Sequence, residues 1–315
     1  MIIKGFRRTI KVPLIQKSDY QIFNNNDYKF SQSNYQKKIN QFSYPSLITN
    51  SIIEINSNNI NFRNLNFLKW VLCKNIVIEF INSPSLVIIQ NIINQCIVSN
   101  VHQITIIINH FIDEYYSDNF IESILCNRLQ KIIIFNSPFI QNIENSFFFY
   151  NFNRKRTLKK YKTEFYPDLT LIYESYDFHT YFNQKLYIGP SGEIKNAPES
   201  DEIFGNIKDI ENPEDLKQII STPEFQKYWS VHKDIQDVCK DCEFRYMCVD
   251  NKIPYQRTEN EWYHKTECNY NPYIAKWEGE DGYKTLAECG VISHENGFSI
   301  DHDKIAEINK VLWGE

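Results

Sequence analysis

The chain has 315 residues, 42% of them apolar and 23% charged, and its 20 Tyr and 22 Phe make it rich in aromatics. That much apolar surface offsets the entropy of ordering and excludes a wholly disordered chain, and only nine glycines exclude collagen-like or glycine-linker character. A formal charge of −5 excludes indiscriminate binding to nucleic acid.

The length suggests about two domains. Met1 to Arg8 has no export signature, and no apolar run nears the roughly 20 residues that span a bilayer. The reading is a soluble cytoplasmic protein with no membrane and no nucleic acid among its partners. Thiols stay reduced in that compartment, so clustered cysteines read first as metal ligands.

Residues 1–45 form a mixed N-terminal segment of unassigned role, with a weakly alternating stretch from Gly5 to Val12. From 46 the pattern becomes regular. Strands are expected at Ser51–Ile55, Ile76–Ile81, Gln103–Ile108 and Lys131–Phe135. Between them, helical spacing appears from Phe62 to Cys73, after Pro84 (Leu86, Ile89, Ile93, Ile97) and around Phe120 and Ile124. Continuous apolar strands alternating with amphipathic helices predict βαβ units and a parallel sheet covered on both faces. The fold class is therefore α/β, with an open sheet or an incomplete barrel over 46–180. A basic run, Arg154 to Lys162, reads as a solvated loop or a receiver of acidic peptide. Leu169–Tyr173 reads as a further strand.

Beyond about 180 the style changes to a small α+β domain, 181–315. Lys185–Ile194 is a hairpin turning at Gly189–Gly192. Helices are expected from Pro213, from Ser221 with a capping box to Glu224, and over Asp303–Leu312.

The eight cysteines fall into two groups. Cys73, Cys96 and Cys126 lie in separate apolar segments and read as buried small hydrophobes. Cys239, Cys242, Cys248 and Cys268 form Cys-x2-Cys-x5-Cys-x19-Cys in a charged stretch. Two thiolates on one tight turn can face a single centre, a third can fold back to it, and a distant fourth completes the set. Spacing alone leaves zinc and iron–sulfur open. His264 reads as an ordinary exposed histidine or a neighbour of the site, with a substitute ligand as the alternative. Cys289 reads as packing.

Ile188–Ile194, then Phe204-Gly205-Asn206-Ile207, then Thr222-Pro223-Glu224-Phe225, then the cysteine cluster resemble a SPASM domain. This is the C-terminal auxiliary-cluster domain of radical S-adenosylmethionine peptide-modifying enzymes. Cys268–Trp277, Glu280–Tyr283 and Tyr44–Asn50 are similar to the SPASM-type peptide maturase of grasp-with-spasm systems, in which an ATP-grasp ligase modifies a ribosomal peptide. The resemblance implies one auxiliary [4Fe-4S] cluster on Cys239, Cys242, Cys248 and Cys268. The other auxiliary cluster of full SPASM domains is not implied, because Ala197 and Lys252 stand where it needs cysteines. The radical signature Cys-x3-Cys-x2-Cys is missing after the first strand, where Ile53–Ile60 holds no cysteine. No S-adenosylmethionine chemistry is therefore implied, and the 46–180 segment is a degenerate partial (β/α) barrel-like scaffold. The implied function is a maturation partner binding precursor peptide, the ATP-grasp ligase, or both, without catalytic activity of its own. The alternatives are an iron–sulfur redox enzyme acting on a peptide and a zinc-stabilised protein-binding module. No nucleophile triad, phosphate-binding loop or dinucleotide fingerprint is present.

Overall fold

The structure is a computed structural model and describes residues 48–56, 73–99, 101–154, 169–265, 267–295 and 297–314. The expectations for residues 1–45, for the helix at 62–72 and for the basic run past Arg154 lie outside the described residues.

The described chain divides into two compact units. The larger is Ser46–Glu267 with His294–Phe298; the smaller holds Cys268–Ser293 and Ser299–Glu315. In the larger unit, strands β1 (Asn50–Ile55), β2 (Asn75–Phe80), β3 (Gln103–Ile108) and β4 (Leu129–Ile134) follow one another with helices α1 (Leu86–Val98) and α2 (Asp118–Ile124) between them. Then come β5 (Gln141–Ile143), β6 (Phe147–Phe149), helix α3 (Leu169–Ser175), β7 (Lys185–Ile188), β8 (Glu193–Lys195), β9 (Gly205–Asn206) and helix α4 (Pro213–Ile220). A hairpin of β10 (Tyr255–Thr258) and β11 (Glu261–Tyr263) completes the larger unit's regular structure up to 267.

The nine strands β1–β9 form one sheet in the order β5-β6-β4-β3-β2-β1-β7-β8-β9. Every pairing from β7 through β1, β2, β3 and β4 to β6 is parallel, while β5, β8 and β9 are antiparallel additions. This is a mixed α/β fold with a large, parallel-dominated sheet that does not close into a barrel. Isoleucine dominates the strands because β-branched side chains suit the pleated surface.

The sheet differs from the expected one in its faces. Ile53, Ile78, Phe80, Ile106, Ile108, Ile132 and Ile134 are buried in one core with Ile89, Ile92 and Ile93 of α1 and Phe120 and Ile124 of α2. Each such side chain contributes about 2 kcal/mol by leaving water. Their neighbours in β1 (Asn50, Ile52, Glu54) are only half-buried, so that strand alternates instead of being enclosed on both faces.

Two further elements depart from expectation. Leu169–Ser175 is a helix, not a strand. A short apolar run is ambiguous between the two, and here Leu169 and Tyr173 face solvent, with only Ser175 buried. Ser221–Glu224 does not open a helix; Thr222, not Ser221, accepts from the Phe225 N–H at 3.3 Å within a run of turns. Phe225, Tyr228 and Trp229 are nonetheless buried, as their spacing implied. Residue 180 marks no break between the units, because β7 pairs with β1 inside the same sheet.

The smaller unit carries a short hairpin of β12 (Tyr270–Asn271) and β13 (Lys276–Trp277), with the Tyr270 and Trp277 rings 4.8 Å apart. Helix α5 (His302–Trp313) is capped by Asp301, which accepts from Lys304 N–H at 2.9 Å, and ends at Gly314 in the left-handed region. Trp313 Nε1 donates to the Ile274 carbonyl at 3.2 Å and Lys276 lies over its ring. Strands β14 (Val291–His294) and β15 (Gly297–Ile300) form the last hairpin.

Candidate functional site

The β7–β8 hairpin and the Gly205-Asn206 strand are neighbours in the sheet. Gly192 sits at φ +96° in the β7–β8 turn, a region closed to most side chains. A Cβ there would meet Asn206 Oδ1 at 2.5 Å. Asn206 Nδ2 donates to the Ser191 carbonyl at 3.1 Å and the Ile207 N–H donates to the Gly192 carbonyl at 2.8 Å. The hairpin and the Gly205-Asn206 strand therefore lock together.

The cysteine loop of the larger unit is pinned at both ends. Arg245 Nε donates to Asp234 Oδ1 at 2.8 Å, and Arg257 pairs with Asp237. Cys239 and Cys242 share one 3-10 turn, with the Cys242 N–H on the Cys239 carbonyl at 3.0 Å. Val238, just before it, is held at φ +66°, a strained conformation for a β-branched residue. Cys248 Sγ donates to Asp250 Oδ2 at 3.7 Å, and Thr180 Oγ1 donates to the Cys248 carbonyl at 2.8 Å.

Beside this loop lies a buried charged group that the sequence did not announce. Lys233 is wholly enclosed and pairs with Asp250. It feels the thiols of Cys239 and Cys248 and is held protonated by Asp250 despite the burial that opposes its charge. Asp250 is half-buried; against the burial that opposes its charge, Lys233 and then His264 pull it well below the usual carboxylate range. Burial pushes the Cys248 thiol up, and Asp250 adds to this, with Cys239 and Cys242 contributing. His179 accepts from the Tyr181 N–H on Nδ1 at 3.2 Å, while its Nε2 has no partner. Burial and Lys233 hold His179 neutral. His264, whose ring nitrogens make no hydrogen bond of sound geometry, is lowered to about 4 by burial and by Lys233.

Three of the four expected ligands, Cys239, Cys242 and Cys248, thus share one loop of the larger unit. Cys268 opens the smaller unit and is exposed. Among the described residues no three His, Cys, Asp or Glu side chains gather as closely as a single metal ion requires. Cys73 and Cys96 are buried, with thiols raised by burial to about 11 and about 12. Cys289 is buried and accepts from Asn271 Nδ2 at 3.4 Å. Ala197 is packed with Phe182, Tyr228, Val231 and Trp262 in a second apolar core.

A second polar group sits at the carboxyl ends of the parallel strands, where open α/β sheets place their sites. Glu54 and Glu79 are cross-strand partners in β1 and β2. Glu79 is buried, accepts from Asn109 Nδ2 at 2.9 Å and pairs with Arg154. Tyr187 lies near Glu54, and burial first, then that carboxylate, pushes its hydroxyl pKa up. Arg154, the first residue of the expected basic run, is therefore turned onto the sheet; burial lowers it, opposed by Glu54, Tyr181 and Glu199. The signal was present in the sequence: one carboxylate at the same position of two successive isoleucine-rich strands.

Fold and site define a mixed α/β protein with a parallel-dominated sheet and a cysteine loop braced by buried charge. Comparison with protein-family models, with characterised proteins and with solved structures finds no match for this chain. Among the described residues no helix is long and apolar enough to cross a membrane.

Proposed function

We propose that the chain is a maturation partner for a ribosomally made peptide, binding the precursor, an ATP-grasp ligase, or both. It would carry one auxiliary [4Fe-4S] cluster and perform no radical S-adenosylmethionine chemistry. The observation that carries this reading is the ordered set of hairpin, Gly205-Asn206 strand and cysteine loop, resembling a SPASM domain and following strands that offer no cysteine triad.

The donor chemistry supports a cluster more than a zinc ion. Zinc holds thiolates at about 2.3 Å, which draws the sulfurs to within about 4 Å of one another. A cubane bound at separate iron corners tolerates wider spacing. A buried lysine near two of the thiols suits an anionic cluster, since it offsets charge where water cannot. Cys239, Cys242, Cys248 and Cys268 would be the cluster's ligands, as the resemblance implies. The cluster would supply folding energy and a fixed shape, as bound metals do in small thiolate sites. Lys233 and Asp250 would hold the loop, and the Arg245–Asp234 and Arg257–Asp237 pairs would set its ends.

Anaerobic purification tests this. The protein should be brown, with about four irons and as much sulfide per chain, and each of Cys239→Ser, Cys242→Ser, Cys248→Ser and Cys268→Ser should lose iron while Cys289→Ser keeps it. Co-expression with an ATP-grasp ligase and the short peptide encoded beside it should give a co-purifying complex. A colourless, zinc-containing protein, or 5′-deoxyadenosine formed from S-adenosylmethionine and reductant, would overturn the reading.

A further inference from the structure

The third thiol of the cysteine loop is tied to a buried cation through a single oxygen. Asp250 Oδ2 accepts from Cys248 Sγ at 3.7 Å and also from Lys233 Nζ. The ammonium is thus no more than about 7 Å from that sulfur, the length of the sulfur contact and an ordinary N–H···O bond end to end. A second path leads to the other two thiols. Lys233 Nζ donates to Gln236 Oε1 at 3.4 Å, and Gln236 is itself buried and donates to the Val231 carbonyl at 2.8 Å. The Gln236 carbonyl accepts from the Lys240 N–H at 2.9 Å, in the turn that carries Cys239 and Cys242.

Lysine is almost never enclosed unless paired, and the pairing here is uneven. An ammonium has three donors; among the described residues Lys233 has two acceptors, Asp250 and Gln236. Lys233 is 2% exposed, whereas its carboxylate partner is only half-buried. The nearby rings add no charge, since His179 and His264 are both held neutral. Lys252 also acts on Asp250, but it is half-buried and water screens it.

The Cys248 contact shows where further negative charge belongs. A thiol donates to Asp250 only while it keeps its proton. A thiolate is an acceptor, so on ligation the contact with Asp250 turns repulsive, and Lys233 is the enclosed cation at hand to offset it. Its field already reaches the Cys239 and Cys248 thiols.

We propose that Lys233 is the internal counter-charge of the thiolate centre: it offsets the negative charge that Cys239 and Cys248 carry as ligands, and so makes the centre easier to reduce by one electron. The inference rests on the cluster reading above and names the residue that tunes that site. A unit charge about 7 Å away at an effective dielectric constant of about 20 favours the more negative state by roughly ten- to a hundredfold.

The test uses the full chain loaded anaerobically with ferrous iron and sulfide. Lys233→Met alone strands Asp250, so the comparison is between Asp250→Asn, which keeps the cation, and Lys233→Met/Asp250→Asn, which removes it. In reductive titrations followed by EPR, the double variant should have a midpoint lower by about 59 mV or more, the one-electron equivalent of tenfold. The rise in melting temperature on loading gives a second readout. It should be largest for Asp250→Asn, where the centre is the main anion facing Lys233, and smaller for the wild type and the double variant. If Asp250→Asn fails to fold, as circular dichroism would show, wild type against Lys233→Gln makes the same one-charge comparison. Equal midpoints, or equal thermal gains, in variants that hold iron would overturn the inference and leave the cluster reading standing. A wild-type chain that takes up no iron and sulfide defeats the cluster reading itself, and this inference with it.

Discussion

Lowering the pH from 7 to 5 should destabilise this protein through His264, and the size of the effect follows from its surroundings. The ring is largely buried next to Lys233, and its pKa falls from 6.5 in an open chain to about 4 in the fold. A lowered folded-state value for a base means that the unfolded chain takes up the proton first. The stabilising contribution is therefore complete above 6.5 and is lost as pH falls through the window from 6.5 to 4. At 1.36 kcal/mol per unit, the loss between pH 7 and pH 5 is about 2 kcal/mol, or between about 1 and 2 once the solvent reaching a partly open side chain is allowed for. His179, also held neutral by burial and Lys233, acts with the same sign. Urea unfolding followed by tryptophan fluorescence at both pH values, on the wild-type chain and on His264→Gln, isolates the His264 share as the difference between the two pH dependences. Identical pH dependence in both proteins, or greater stability at pH 5, would refute the placement of His264 beside Lys233 and Asp250.

Lys233→Met should cost about 3–5 kcal/mol, because it strands Asp250 as a buried, unpaired charge; thermal melts should show Lys233→Met/Asp250→Leu recovering most of the loss. Gly192→Ala should cost about 1–2 kcal/mol from backbone strain, plus a steric penalty against Asn206. Gly279→Ala, also at positive φ but with nothing within 4 Å, should show the strain alone, and the difference in urea midpoints measures the clash. Glu79→Gln keeps an acceptor for Asn109 but removes the charge facing Arg154, so it should lose about 1–3 kcal/mol. Glu54→Gln, on a less buried side chain, should lose less in the same assay.

The fold was largely legible where local pattern and tertiary burial agree. β1 to β4 fall where the isoleucine runs stand, and α1 and α2 where the apolar spacing becomes helical. The reading failed at Leu169–Ser175, whose apolar residues are not enclosed by any sheet. The turn at Gly189–Gly192 was also legible, because a hairpin there needs a residue free to take positive φ and Gly192 does so. The charged partners of the cysteine loop were not legible. Lys233 and Asp250 are 17 positions apart, and Lys residues in polar loops are ordinarily solvated.

What the amino-acid order determined by itself is local: the strand and helix stretches, the turn at Gly192, and three thiols on one short loop. Those follow from side-chain shape, backbone freedom and spacing over a few residues. Tertiary structure alone decided that β7 returns to pair with β1, which places Lys185 and Tyr187 beside Asn50 and Ile52. It also decided which face of the sheet α1 and α2 cover, and that a lysine and an aspartate meet inside the fold. Such pairings join residues far apart in the chain, and their energy comes from excluding water around both partners, a quantity that no short window of sequence contains.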